Sequence, residues 1–129
     1  MFLVFAICLY FTPSEQQFEL NLHYDNISLG ILLQIQVEKL INTLNLIYTK
    51  NKMEENTQEA LINFLDSVFV RTELGDYQYE FENSNITLEY DLTLDKFNLN
   101  EGYDNINLGT LNVTQVEKLL KTLNYCLLE

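Results

Sequence analysis

The chain has 129 residues, of which 47 % are apolar, and it carries 19 acidic and 7 basic residues for a net charge of −12. This length suits one domain, and this apolar content excludes general disorder. The acidity argues against direct binding of nucleic acid, which depends on neutralising phosphates with Lys and Arg, and against an anionic membrane surface. A basic protein is the partner that such a charge favours.

An internal repeat organises the chain, because residues 18–45 match residues 97–124 at an offset of 79 with 18 identities in 28 positions. We call residues 1–50 repeat one, residues 54–75 the middle segment and residues 76–129 repeat two. Two positions that are 79 apart are called equivalent. Two copies are too few for a solenoid, so we predict two strand-strand-helix units within a single domain that spans the whole chain.

Repeat one opens with an apolar run over residues 2–11. The run is too short to span a bilayer and lacks the cleavage site of a signal peptide, so we predict an internal β-strand. Its outward positions are apolar where repeat two is acidic, with Leu3 against Glu82 and Tyr10 against Glu89. A strand that is apolar on both faces is buried on both faces. We therefore expect it to lie centrally in the sheet or to form a homodimer surface.

Alternating apolar and polar residues predict half-exposed strands before each repeat helix. In repeat two these strands are connected by a turn at residues 83–85 and another at residues 95 and 96. Gly30 and Gly109 are equivalent and follow the last strand of each unit, which predicts a bulge or a positive φ at both. Neither Cys8 nor Cys126 fits a metal-binding spacing, so we predict buried thiols in a reducing cytosol.

Each repeat ends in a stretch with helical apolar spacing. The stripe of repeat one is Val37, Leu40, Ile41, Leu44 and Ile47, and that of repeat two is Val116, Leu119, Leu120, Leu123, Cys126 and Leu127. Asn112 and Gln115 predict a capping box at the second helix, whereas Leu33 replaces the cap residue of the first.

The middle segment has apolar residues on one helical face, which favours a helix up to about Phe69. The alternative is that residues 67–74 form a strand that turns at Gly75. The order is then strands, helix, helix, strands, helix. This order predicts an α+β domain in which helices pack on an antiparallel β-sheet.

The sequence offers few groups for catalysis. It has one histidine, His23, and four unclustered glycines, so neither a nucleophile triad nor a phosphate loop can be assembled. Carboxylates are the abundant functional group, but a strand places them about 6.8 Å apart in a row, unlike the cleft of a metal-dependent hydrolase. We predict a protein without catalysis, cofactor or bound metal, with the hydrolase as the alternative.

The net charge is concentrated in one part of the chain. Residues 54–104 carry 13 acids and 2 bases, whereas residues 1–53 sum to −1 and residues 105–129 to zero. The candidate partner-binding residues are Asp76, Glu80, Glu82, Glu89, Asp91 and Asp95. Carboxylates spaced about 6.8 Å along a strand can imitate phosphates, which lie about 3.4 Å apart along nucleic acid. The alternating tyrosines, Tyr77, Tyr79 and Tyr90, are expected to face the core.

These features predict an acidic inhibitor that blocks a basic, nucleic-acid-binding protein. The chain is rich in Asn, Ile, Leu, Lys and Tyr and has only two alanines and one proline, a composition typical of an AT-rich genome. A phage-encoded anti-defence protein, such as an anti-CRISPR that mimics nucleic acid in the bacterial cytoplasm, fits this description. The alternatives are an immunity protein or antitoxin against a basic toxin, an oligomeric structural or assembly protein, and an acidic face that serves only solubility.

Overall fold

The computed structural model describes residues 7–22, 25–48, 58–82 and 84–127. Within these ranges the elements follow the predicted order of strands, helix, helix, strands and helix, so the α+β class is confirmed. They are β1 (Cys8–Thr12), β2 (Gln17–Leu22), β3 (Asp25–Gly30), α1 (Gln34–Tyr48), α2 (Gln58–Val68), β4 (Val70–Arg71), β5 (Tyr77–Glu80), β6 (Ile86–Asp91), β7 (Lys96–Glu101), β8 (Asp104–Gly109) and α3 (Val113–Leu127).

The strands form two antiparallel sheets where the sequence predicts one. The first sheet has the order β1-β2-β3, and the second has the order β4-β5-β6-β7-β8. The edge strands β3 and β8 are neighbours, with Cα atoms within 8 Å of each other. At this junction the Ser28 N–H donates to Oε1 of Glu101 at 3.1 Å. A side-chain carboxylate thus satisfies a backbone donor at the edge of β3.

The same irregularity occurs in both sheets. The β2–β3 register shifts between Phe18 and Glu19, close to Gly30, and the β7–β8 register shifts between Phe97 and Asn98, close to Gly109. Both glycines have a φ of 78°. A positive φ is open to glycine because it has no Cβ. The prediction of a bulge or a positive φ at these two positions is therefore confirmed.

The helix α3 begins with the capping box that its sequence predicts. The Asn112 N–H donates to Oε1 of Gln115, and the Gln115 N–H donates to Oδ1 of Asn112, each at 2.9 Å. At the start of α1 only one half of this pair exists, because Leu33 donates its N–H to Oε1 of Gln36 but has no side-chain acceptor. The Gln36 N–H donates to the Leu33 carbonyl at 3.0 Å instead, so a backbone bond takes the place of the side-chain cap that Asn112 provides in α3.

The core lies between the helices and the inner faces of the two sheets. It is one continuous cluster of apolar side chains that includes members of both repeats and of α2. Its least exposed members are Ile27, Leu40, Leu65, Leu88, Tyr90, Phe97, Ile106, Val116 and Leu123.

The first strand is not central, which corrects the expectation from its apolar outward face. In the described residues β1 is the edge of its sheet, and Tyr10 and Phe11 are 55 % and 48 % exposed. Cys8 is exposed where a buried thiol was predicted, whereas Cys126 is buried as expected. Ile41 is also 44 % exposed although it belongs to the helical stripe of α1. Apolar spacing identifies the face, but the neighbouring elements decide whether it is covered.

The middle segment combines both of its predicted alternatives. The helix α2 ends at Val68, one residue before the expected limit, and β4 then occupies Val70 and Arg71. Residues 2–6 of the predicted first strand and His23 lie outside the described residues.

Candidate partner-binding face

The outer face of the second sheet divides into an acidic half and an amide half. On β5 and β6 the outward residues are Gln78, Glu80, Thr87, Glu89 and Asp91, and on β7 and β8 they include Asn98, Asn100, Asn105 and Asn107. The pairing of Gln78 with Glu89, and of Glu80 with Thr87, brings the two acidic strands together. We call Glu80, Glu82, Glu89 and Asp91 the acidic strip.

Glu89 lies at the boundary between the two halves. Its Oε1 accepts a hydrogen bond from Nδ2 of Asn100 at 3.0 Å, diagonally across the β6–β7 pair. The side chain is half-buried. This bond holds one carboxylate oxygen against the sheet, so the orientation of Glu89 is fixed before any partner arrives.

Three predicted site residues have hydrogen bonds that build the hairpin between β6 and β7. Oδ1 of Asp91 accepts from the Leu94 N–H at 3.1 Å, and Oδ1 of Asp76 accepts from the Leu92 N–H at 3.3 Å. Asp95 has a φ of 56°, and its Oδ1 accepts from the Tyr90 hydroxyl at 2.7 Å. Asp76 and Asp95 are therefore tied to the hairpin and to the core, which their spacing in the sequence does not reveal.

The alternating tyrosines face inward as predicted. Tyr77 and Tyr90 are 1 % and 0 % exposed, and Tyr79 is half-buried. Burial, followed by the hydrogen bond to Asp95, raises the pKa of Tyr90 to about 12, although a bond from Nε2 of Gln58 opposes this shift. The hydrogen bond to Asp66, followed by burial, raises the pKa of Tyr77. Both hydroxyls are neutral at physiological pH and donate hydrogen bonds within the fold.

Glu80 and Glu82 are the two exposed members of the acidic strip. They border an open cavity of about 620 Å³ whose apolar walls are Val68, Val70 and Tyr79. Val70 is 70 % exposed. The sequence did not identify Val68 and Val70 as walls of a cavity. It only left open whether residues 67–74, which include both, form a helix or a strand. Apolar walls beside carboxylates match the aliphatic stem and charged head of a Lys or Arg side chain.

The cations are distributed differently from the acids. Of the five basic residues in the described ranges, the second sheet carries Arg71 and Lys96. The other three, Lys39, Lys118 and Lys121, line a groove of about 770 Å³ between α1 and α3. With Glu38 and Glu117 beside these lysines, the α1–α3 pair is close to neutral, whereas the second sheet carries more acids than bases.

Across the ranges that the structure covers, His, Cys, Asp and Glu side chains form no group of three that could hold a metal ion. None of the helices described is long and apolar enough to cross a membrane. Comparison of the chain with known protein families, with curated proteins and with solved structures finds no match. A function is therefore inferred from the geometry and charge of the site.

Proposed function

We propose that this chain is a non-enzymatic interaction protein that binds a basic, nucleic-acid-binding protein through its acidic strip. The observation that carries this proposal is the position of Glu80 and Glu82 at the border of an open cavity with apolar walls. A Lys or Arg of the partner would pack its stem against Val68 and Val70 and bring its charge to the carboxylates. The cavity walls supply apolar contact, so charge recognition rests on Glu80 and Glu82.

The rest of the strip extends this contact into a row. Glu89 and Asp91 are two residues apart on one strand, which separates them by about 6.8 Å. Glu80 lies on the neighbouring strand opposite Thr87, so it is offset from Glu89 by about 4.8 Å across the strands and about 6.8 Å along them. Carboxylates at these steps present a row of negative charge to the side chains that would otherwise neutralise phosphates. The bound chain would thereby block the partner's nucleic-acid channel.

The most specific form of this proposal is a phage anti-defence inhibitor, such as a nucleic-acid-mimicking anti-CRISPR, that acts in the cytoplasm of a bacterial host. An immunity protein or antitoxin would use the same physics against a basic toxin. The partner distinguishes the two, because the first inhibits a host defence enzyme and the second neutralises a toxin.

The test begins by capturing partners from bacterial lysate with the wild-type chain and with a Glu80→Lys/Glu82→Lys variant. Captured proteins are then purified, and their affinity is measured with and without their own nucleic acid. We expect competition by the nucleic acid, weaker binding at higher salt, mainly through a slower on-rate, and at least a tenfold loss of affinity in the variant.

The matched control is Glu38→Lys/Glu117→Lys, which reverses two exposed acids on the helix layer at equivalent positions. This control is expected to retain affinity within about twofold. Equal losses in both variants, or binding that ignores salt and nucleic acid, would show that the partner contacts another surface.

A further inference from the structure

The two repeats contain the same aromatic pair in different surroundings. The ring centroids of Phe11 and Phe18 are 4.7 Å apart, and those of the equivalent Tyr90 and Phe97 are also 4.7 Å apart. Tyr90 and Phe97 are fully buried, whereas Phe11 is 48 % exposed. The backbone arrangement is shared, so the difference comes from what lies over the pair.

The difference extends over a whole flank of repeat one. At seven equivalent positions the repeat-two side chain is buried, whereas the repeat-one side chain is half-buried or exposed. One of them is Ile7, just before β1, whose equivalent is Ile86. The other six repeat-one members are Leu9, Phe11, Phe18, Val37, Ile41 and Leu44, and their equivalents are Leu88, Tyr90, Phe97, Val116, Leu120 and Leu123. We call these six repeat-one residues the open flank. They lie on β1, β2 and α1, and their buried equivalents in repeat two all belong to the one core cluster.

In repeat two the covering elements are α2 and β5. Nε2 of Gln58, at the start of α2, donates to the Tyr90 hydroxyl at 3.2 Å, and the Tyr77 hydroxyl of β5 donates to Oδ1 of Asp66 on α2 at 2.7 Å. The helix α2 also contacts α3, and its Leu61 and Leu65 are buried. Within the part of the chain that the structure describes, β1 has no strand at the edge where β6 pairs with β5, and no helix lies over repeat one as α2 lies over repeat two.

We propose that the open flank binds an amphipathic helix from a partner protein, in the place equivalent to that of α2. The chemistry of the occupant follows from α2, which covers the equivalent surface of repeat two. The occupant is a helix with apolar residues four apart, like Leu61 and Leu65 of α2, because residues at that spacing lie on one helical face. Phe11 lacks the hydroxyl that Gln58 binds in Tyr90, so the occupant carries an apolar residue where α2 carries Gln58.

A second copy of the chain is the less suitable occupant. In repeat two the described helix that covers this surface is α2, whose Leu61 and Leu65 are buried there. To place that helix on the flank of another chain, a second copy would have to release its own α2. The flank is distinct from the acidic strip, so this inference stands independently of the proposed function.

The probe is a lactam-bridged helical peptide with the sequence of residues 58–69 and the substitution Gln58→Leu. Binding to the full chain is measured by fluorescence anisotropy and by NMR chemical-shift changes. We expect saturable binding, with the largest shifts at Leu9, Phe11 and Ile41 and smaller ones at Tyr90. A second peptide that also carries Leu61→Asp and Leu65→Asp is expected not to bind.

The variants Phe11→Asp and Ile41→Lys are expected to weaken binding at least tenfold. Both residues are close to half exposed, and circular dichroism confirms whether each variant is folded. The matched control is Leu94→Asp, at an apolar residue that is 61 % exposed and lies outside the flank, and it is expected to keep affinity within about twofold. If one flank variant fails to fold, the other provides the comparison.

Three results would overturn the proposal. One is the absence of saturable binding up to millimolar peptide. Another is a set of shifts centred on repeat two, which would mean that the peptide displaces α2. The third is a wild-type dimer in sedimentation equilibrium that Phe11→Asp converts to monomer, because a second copy would then cover the flank.

Discussion

The side-chain oxygens of Thr43 and Thr122 lie 2.6 Å apart where α1 packs against α3. Both side chains are buried, and the two positions are equivalent. Two further hydrogen bonds between the helices also join equivalent pairs of residues. Nε2 of Gln36 donates to the Tyr125 carbonyl, and Nε2 of Gln115 donates to the Leu46 carbonyl. The helix pair thus contacts itself through corresponding residues, as the subunits of a two-fold dimer do.

The threonine pair predicts strong coupling between two substitutions. Thr43→Val alone, or Thr122→Val alone, leaves one buried hydroxyl without its partner and should lower the free energy of unfolding by about 1–2 kcal/mol. The double variant removes both polar groups and should cost clearly less than the sum. Urea unfolding of the four proteins in a double-mutant cycle measures this coupling, and additive effects would contradict it.

The raised pKa of Tyr90 predicts a loss of stability in alkali. Its pKa is about 12 in the folded chain, against about 10 in the unfolded chain. Between these values the unfolded state releases the proton and the folded state keeps it, so stability is complete below pH 10 and falls as the pH rises toward 12. The contribution of Tyr90 to this slope is about 1.4 kcal/mol for each pH unit.

Tyr90→Phe should make the alkaline decline shallower without removing it, because the raised pKa of Tyr77 acts in the same direction. Urea midpoints at pH 8, 10 and 11 measure the effect. The matched control is Tyr103→Phe, which removes a hydroxyl from a fully exposed ring outside the core. Parallel pH profiles for wild type and Tyr90→Phe would show that Tyr90 is not the responsible group.

Asp95 is expected to affect stability rather than affinity. Asp95→Ala removes the acceptor for Tyr90 and places a residue that tolerates a positive φ less well, so it should cost about 2 kcal/mol of unfolding free energy. Asp95→Asn keeps an acceptor and a tolerated conformation and should cost less than about 1 kcal/mol. Thermal or urea unfolding separates the two. A large loss of partner affinity in folded Asp95→Asn would return this residue to the binding face.

The incomplete cap of α1 predicts a stabilising substitution. Leu33→Asn would add the side-chain acceptor that Asn112 supplies to α3. Because the Gln36 N–H already donates to the Leu33 carbonyl, the free energy of unfolding should rise by only about 0.5 kcal/mol. Leu33 is largely exposed, so little apolar burial is lost. Asn112→Ala should lower stability by about 1 kcal/mol. A destabilised Leu33→Asn in urea unfolding would mean that Leu33 has a packing role.

The sequence by itself determined the features that depend on neighbouring residues. Helical spacing, the Asn112–Gln115 capping box, the positive φ of Gly30 and Gly109, and the inward tyrosines follow from residues a few positions apart. Each depends on backbone geometry or on periodic burial, and both act over short stretches of chain. The order of elements, and with it the α+β class, was predictable for the same reason.

Only the tertiary structure decided which strands lie at an edge and which carboxylates are held by hydrogen bonds within the fold. Ser28 meets Glu101 across 73 positions, and this contact lies where the two sheets adjoin. Asp76 is tied to the Leu92 N–H, Asp91 to the Leu94 N–H and Asp95 to the Tyr90 hydroxyl, so three of six similar acids have hydrogen bonds within the fold. The apolar stripe of α1 resembles that of α3, yet Ile41 is exposed and Leu120 is buried. A side chain's burial depends on which element covers it, and that element can come from any part of the chain.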